Sequence, residues 1–197
     1  MLIISPEKGI KTLREFVDVA RAKHGALTFA SLGIGSATHM NAERFRLSAG
    51  FEATHVPFRG APAAITEVME GRVDYCFCAI GTTLPYITTG KLLALAVSTR
   101  KRSPLLPDVP TTLEEGFANS DYTPWLGIFA PAKTPSVAIK RLYDEVQNVV
   151  QLANVREKLA KLGVEPLVMS QSEFDTYVRR EMTRNASLVE ALGLRPH

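Results

Sequence analysis

The chain has 197 residues, 46% of them hydrophobic and 22% charged, an ordinary globular composition that excludes a disordered or collagen-like chain. Its formal net charge of +3, from 23 basic and 20 acidic residues, is too mild to indicate a nucleic-acid partner. No apolar run approaches the ~20 residues that cross a bilayer.

The chain opens on the apolar run Leu2-Ile3-Ile4, ended by Ser5-Pro6. Residues 1–11 lack a basic stretch followed by a long apolar core, so they do not read as a secretory signal. Either the protein is cytoplasmic or its signal lies outside this chain. Leu13, Phe16, Val17 and Ala20 recur at helical spacing in a segment entered at Thr12 and stopped at His24-Gly25. Residues 27–30 then read as a strand and 36–47 as a helix closed near Gly50. Residues 54–56 follow as a strand, 62–69 as a helix, 73–78 as a strand, 82–88 as a short helix and 92–97 as a strand. Such βα alternation predicts a parallel or mostly parallel sheet with helices on its faces. The run Leu92-Leu93-Ala94-Leu95-Ala96-Val97 is continuously apolar, as a strand covered on both faces would be.

From residue 103 to 135, six prolines forbid long helices, and residues 125–130 (Trp-Leu-Gly-Ile-Phe-Ala) read as a strand crossing between two lobes. The remainder reads as three helices: one capped by Ser136, one over roughly 154–162, and one beginning after Ser170. The basic run Arg100-Lys101-Arg102 is short and precedes Ser103-Pro104, so it reads as a solvated loop. Cys76 and Cys78 stand two apart on a strand, a spacing that seldom gives good disulfide geometry. They read as two small buried hydrophobes, and no nearby histidine or second cysteine pair completes a metal site.

The segment that points to a ligand is Ser31-Leu32-Gly33-Ile34-Gly35-Ser36-Ala37-Thr38-His39-Met40, between a strand and a helix. Its glycines let the backbone turn sharply. The helix beginning at Ser36 presents amides with no intrahelical partner at the positive end of the helix dipole, a setting that favours a carboxylate or phosphate. The alternative is an ordinary turn with Ser36 as cap and His39 on the helix surface. A dinucleotide loop would need glycine where Thr38 stands, and no Gly-Lys-Ser/Thr of a phosphate loop follows. The loops Val56-Pro57-Phe58-Arg59-Gly60-Ala61-Pro62 and Cys78-Ala79-Ile80-Gly81-Thr82-Thr83 occupy equivalent places after the next two strands, and Arg59 offers either a charge for an anion or simply a surface arginine. No nucleophile elbow appears, Ser36 and His39 have no third group to orient the imidazole, and the loops are almost free of carboxylates. Binding without catalysis, with no cofactor and no metal, is therefore the expectation.

Residues 27–40, His55-Val56-Pro57-Phe58-Arg59-Gly60, Gly71-Arg72-Val73-Asp74, residues 90–97, residues 102–111 and residues 125–131 together resemble the tripartite tricarboxylate transporter solute-receptor family, the Bug family of extracytoplasmic binding proteins. The resemblance implies an α/β fold of the type II periplasmic-binding-protein kind, two lobes with mostly parallel sheets. It implies a periplasmic receptor that hands a small carboxylate to membrane transporter subunits. Carried over, Gly35, Ser36, Ala37, Thr38 and His39 would be the amide-donating helix start, Arg59 and Gly60 the second loop, and Cys78 and Ala79 the third. Family members commonly have Asp where Cys78 stands and Asn where Ala79 stands, so an altered ligand preference or weakened binding is expected.

The same resemblance implies that residues 1–99 form the second lobe, 100–135 a Pro-rich crossing segment with a hinge strand, and 136–197 the helical remainder of a first lobe, which would be incomplete. The apolar helix faces of that remainder would then be left uncovered and drive homodimerisation or aggregation. The alternative reading is a truncated sensor or interaction module with no transport role.

Overall fold

A computed structural model describes residues 1–194; residues 195–197, the end of the expected helical remainder, lie outside it. The chain divides into two compact units, Met1–Pro124 and Trp125–His197. The first holds β1 (Leu2–Ile4), α1 (Leu13–Ala22), β2 (Leu27–Ser31), α2 (Ala37–Ala49), β3 (Ala53–Pro57), α3 (Ala61–Met69), β4 (Tyr75–Phe77), α4 (Ile80–Thr88) and β5 (Leu93–Ala96). The second holds α5 (Ser136–Gln151), α6 (Ala153–Lys161) and α7 (Gln171–Ala191). No described helix is long and apolar enough to cross a membrane.

The five strands lie in the order β3-β2-β4-β1-β5. β2 pairs in parallel with β3 and β4, whereas β1 runs antiparallel to both β4 and β5. Four strands thus point one way, and the mostly parallel sheet expected from the alternation carries one reversed strand. The parallel inference rests on short βα links, and the longer link over residues 5–12, with its 3-10 turn at Pro6–Lys8, does not fit that premise.

Side-chain alternation builds a core on each face of the sheet. Leu2, Ile4, Leu27, Phe29, Tyr75 and Phe77 face one way, against Leu13, Phe16, Val17 and Ala20 of α1 and Ala42, Phe45 and Ala49 of α2. Ile3, Ala30, Cys76 and Cys78 face the other way, against Ala64, Ile65 and Val68 of α3. Thr12 caps α1, with Glu15 returning a bond to its backbone in a capping box.

Residues 97–124 carry almost no regular structure but are tied to the sheet. The Val97 amide donates to the Pro110 carbonyl (2.9 Å), the Thr112 amide donates to the Val97 carbonyl (2.9 Å), and Phe117 packs edge-on against Phe45. Arg100 pairs with Asp121 (3.1 Å) and Arg102 with Glu114 (2.9 Å), so two of the three charges in the basic run have acidic partners in the same segment.

Two expectations in the second unit are corrected. Residues 125–130 form no strand: a strand requires a hydrogen-bonded neighbour, and among the described residues none pairs with them. Trp125 instead meets Phe174 and Tyr177 edge-on, and a Cβ on Gly127 would lie 2.6 Å from the Phe174 ring, which explains the glycine. Ser136 is the first residue of α5 rather than its cap; Pro135 holds the cap position and no side-chain bond closes that end. Ser170 caps α7 with Glu173 in a capping box. Leu188 is the one buried hydrophobic residue described in this unit, while Val137 is 80% and Met182 66% exposed.

Candidate functional site: three helix starts on one sheet edge

Because β3, β2 and β4 are adjacent and parallel, their carboxyl ends fall on one edge; Ser31 lies opposite Pro57 and Ala30 opposite Cys76. Each strand passes through a short turn into a helix, so α2, α3 and α4 all begin at that edge. The Phe58 amide donates to the Ser31 carbonyl (2.8 Å), tying the second turn to the first. Gly33 (φ +117°) and Gly60 (φ +114°) occupy backbone conformations that a Cβ disfavours.

Side chains from within consume part of the first turn. Ser36 caps α2 by accepting from the His39 amide (3.3 Å), and its hydroxyl donates to the Gly33 carbonyl (2.7 Å). The Thr38 hydroxyl accepts from the Leu32 amide (2.9 Å), and the Ser36 amide donates to the Gly33 carbonyl (3.2 Å). The Gly35 amide donates to His39 Nδ1 (3.2 Å) and the Gly33 amide to Ser31 Oγ (3.0 Å).

Of the residues expected to donate amides here, Gly35, Ser36 and His39 are therefore committed within the protein. Ala37 and Thr38 keep amides with no partner among the described residues. The same holds for Ala61 and Ala63 of α3, where Pro62 has no N–H, and for Ile80 and Gly81 of α4. The N-termini of three helices thus place free donors and three positive dipole ends along one edge, a setting suited to an anion. Counting in from each cap marks these amides in the sequence; Ala61, Ile80 and Gly81 lie in the two loops already noted there, whereas Ala63 lies one residue beyond.

Arg59 is exposed and makes no ion pair among the described residues, next to the α3 start. Ala79 is exposed at the α4 cap position, and its carbonyl accepts from the Thr82 and Thr83 hydroxyls (both 2.9 Å). Cys78 departs from expectation. It is buried as expected, but it forms a disulfide with Cys76 across a Cα–Cα distance of 5.9 Å, within the range that accommodates the bond. Same-face placement brought the two sulfurs together, and Cys78 presents no side chain to the edge. Among the described residues, no cluster of His, Cys, Asp or Glu could hold a metal ion.

His39 is also inside, only 3% exposed, rather than on the helix surface. Its ring centroid lies 4.2 Å from that of His55, whose Nε2 is 2.5 Å from Ser31 Oγ, and the Phe29 ring stacks on both. Burial, then the Arg46 charge, lowers the His39 pKa. Burial, then His39, lowers the His55 pKa to about 4, against a smaller raising effect of Glu43. Both rings are thus neutral at neutral pH. Because the unfolded chain takes up these protons near pH 6.5, the fold loses stability as pH falls from there towards 4.

Two concavities lie elsewhere. One of about 250 Å³ is lined by Arg21, His24, Arg46 and Glu52 beside the C-terminus of α2. Its arginines are occupied: Arg21 donates to the Ala49 carbonyl (2.7 Å), and Arg46 pairs with Glu43 (2.7 Å) and Glu52 (2.6 Å). The other, about 280 Å³, is bordered by the Lys8–Asp74 pair (2.7 Å).

In an open α/β sheet, helix starts gathered at the carboxyl edge form the usual place for a ligand. The model of the family described as tripartite tricarboxylate transporter family receptor matches residues 1–194, and the chain belongs to that family. It is 29% identical over 196 residues to the UPF0065 protein in the gbd 5' region of Cupriavidus necator, covering 98% of this chain and 58% of that relative. Among solved structures, R. palustris Rpa4515 with adipate superposes with a TM-score of 0.90 at 26% identity, over 100% of this chain and 66% of that one. MatC from Rhodopseudomonas palustris with bound malate gives 0.86 at 28% identity, over 96% and 65%. The chain therefore spans about three-fifths to two-thirds of the length of these relatives.

Proposed function

We propose that this chain is the solute-capturing part of a periplasmic receptor that binds a small di- or tricarboxylate without chemical conversion and delivers it to the membrane subunits of a tripartite transporter. The observation that carries this reading is the row of free amides at Ala37, Thr38, Ala61, Ala63, Ile80 and Gly81 on one sheet edge. Arg59 adds an exposed positive charge beside them. The adipate and malate held by two structural neighbours are the chemistry such an edge suits. In this reading residues 1–99 are one lobe, 100–135 the crossing segment and 136–197 part of a second lobe.

The exposed apolar residues of α5 and α7, Val137, Leu142, Val149 and Met182, favour self-association. They also give substance to a second reading, an interaction module with no transport role.

A thermal-shift panel of adipate, malate, succinate and citrate separates the two. A ligand that binds only the native state at 100 times its Kd stabilises by about 2.7 kcal/mol. At about 2–4 °C per kcal/mol for a chain of this size, at least one acid should raise Tm by about 5–11 °C. No shift with any acid at millimolar concentration would leave the interaction module standing and remove the receptor.

A further inference from the structure

We propose that His39 is a positioning residue for the solute edge: from beneath the turn it takes the Gly35 amide, and together with Ser31 and His55 it holds the backbone in the form that leaves the Ala37 and Thr38 amides free. This rests on the receptor reading for its role in binding, though not for the contact itself.

Each glycine amide of the turn is accepted by a side chain from within the protein. Gly33 N–H goes to Ser31 Oγ (3.0 Å) and Gly35 N–H to His39 Nδ1 (3.2 Å). The two acceptors are joined by His55, whose Nε2 meets Ser31 Oγ at 2.5 Å and whose ring lies 4.2 Å from that of His39. Ser31 and His39 are both buried, so neither acceptor is free to swing into water. For Nδ1 to accept, the His39 proton must sit on Nε2, which lies 3.9 Å from Glu43 Oε1. The titratable groups around the ring are His55 on β3 and Glu43 and Arg46 on its own helix; Glu43 and Arg46 also act on the Tyr75 hydroxyl of β4. An imidazolium has N–H groups on both nitrogens and cannot accept from Gly35. Protonating His39 therefore breaks the contact, at a pH below the ordinary histidine range because burial and Arg46 disfavour the charge.

The test is amide hydrogen exchange, read by NMR on the whole chain across pH, in wild type, His39→Asn and His39→Phe. Asn places Oδ1 close to the position of Nδ1 and does not titrate; Phe keeps the ring volume and removes the acceptor. In wild type, Gly35 should be protected at neutral pH and lose protection as His39 protonates. His39→Asn should keep it protected into acid, and His39→Phe should lose about tenfold in protection at every pH, the loss of one neutral hydrogen bond. Adipate or malate should bind His39→Asn within about threefold of wild type and His39→Phe about tenfold more weakly. Equal Gly35 protection in wild type and a folded His39→Phe would overturn the proposal, as would unchanged binding by that variant. If His39→Phe fails to fold, loss of Gly35 protection in His39→Asn at neutral pH, or none in wild type on acidification, overturns it equally. Failure of wild type to bind any carboxylate would sink the receptor reading and the binding role of His39 together, while Gly35 exchange still decides whether His39 holds the turn.

Discussion

Replacing Phe29 with alanine should lower the unfolding free energy by about 3–5 kcal/mol, the cost of truncating a fully buried aromatic ring and leaving a cavity. Phe29 has no solvent exposure and sits at the centre of β2. Its ring lies 5.6 Å from Tyr75 and 5.0 Å and 5.9 Å from His55 and His39, so it supports the aromatic core and the histidines under the ligand turn together. For a domain whose whole stability is about 5–15 kcal/mol, such a loss is a large fraction. Tm should fall by roughly 6–20 °C, read by calorimetry or urea denaturation. A loss under about 1 kcal/mol would mean that the ring is not packed as described.

Replacing Ala37 with proline should weaken adipate or malate binding by roughly 10–150-fold while leaving the unliganded fold within about 0.5 kcal/mol of wild type. Proline is welcome at the first position of a helix, where its missing N–H has no intrahelical role, and Ala37 is that position in α2. The residue before a proline must be extended, and Ser36 already is, at φ −63° and ψ 159°. Ala37 is exposed and its amide has no partner, so the substitution removes one donor aimed at solvent and little else. Hydrogen bonds to charged groups contribute about 1.5–3 kcal/mol, which sets the expected range. Isothermal titration calorimetry measures the affinity, and calorimetric Tm confirms the fold.

The parts of the structure legible in the sequence are those set by local rules. Leu13, Phe16, Val17 and Ala20 recur at helical spacing and are the buried stripe of α1. Ser36 and Ser170 begin helices because a short side-chain oxygen can reach a first-turn amide, and both do so. The continuously apolar fifth strand lies in a sheet covered on both faces. What was not legible is non-local. The direction of β1 depends on the strands it inserts between, and residues 125–130 have strand composition without a strand to pair with. Ser136 fits a cap by type, yet Pro135 takes the place because capping depends on backbone angles one residue away.

At the site, the position of the turn could be read in the sequence, but the fate of its amides could not. Gly35, Ser36 and His39 all look available until side-chain rotamers and neighbouring strands are known. Only then do His39 and Ser31 turn out to satisfy the glycine amides from below, leaving Ala37 and Thr38 free. The Cys76–Cys78 bond was missed for a similar reason: typical strand geometry argues against it, and only the local backbone brings the Cα atoms to 5.9 Å.

The most direct measurement is a titration of the ¹⁵N-labelled chain with malate and with adipate, following every backbone amide. Saturable shifts concentrated at Ala37, Thr38, Ala61, Ala63, Ile80 and Gly81 are the predicted result. Shifts confined to the Arg21–Arg46 concavity, or none at concentrations up to several millimolar, would contradict it.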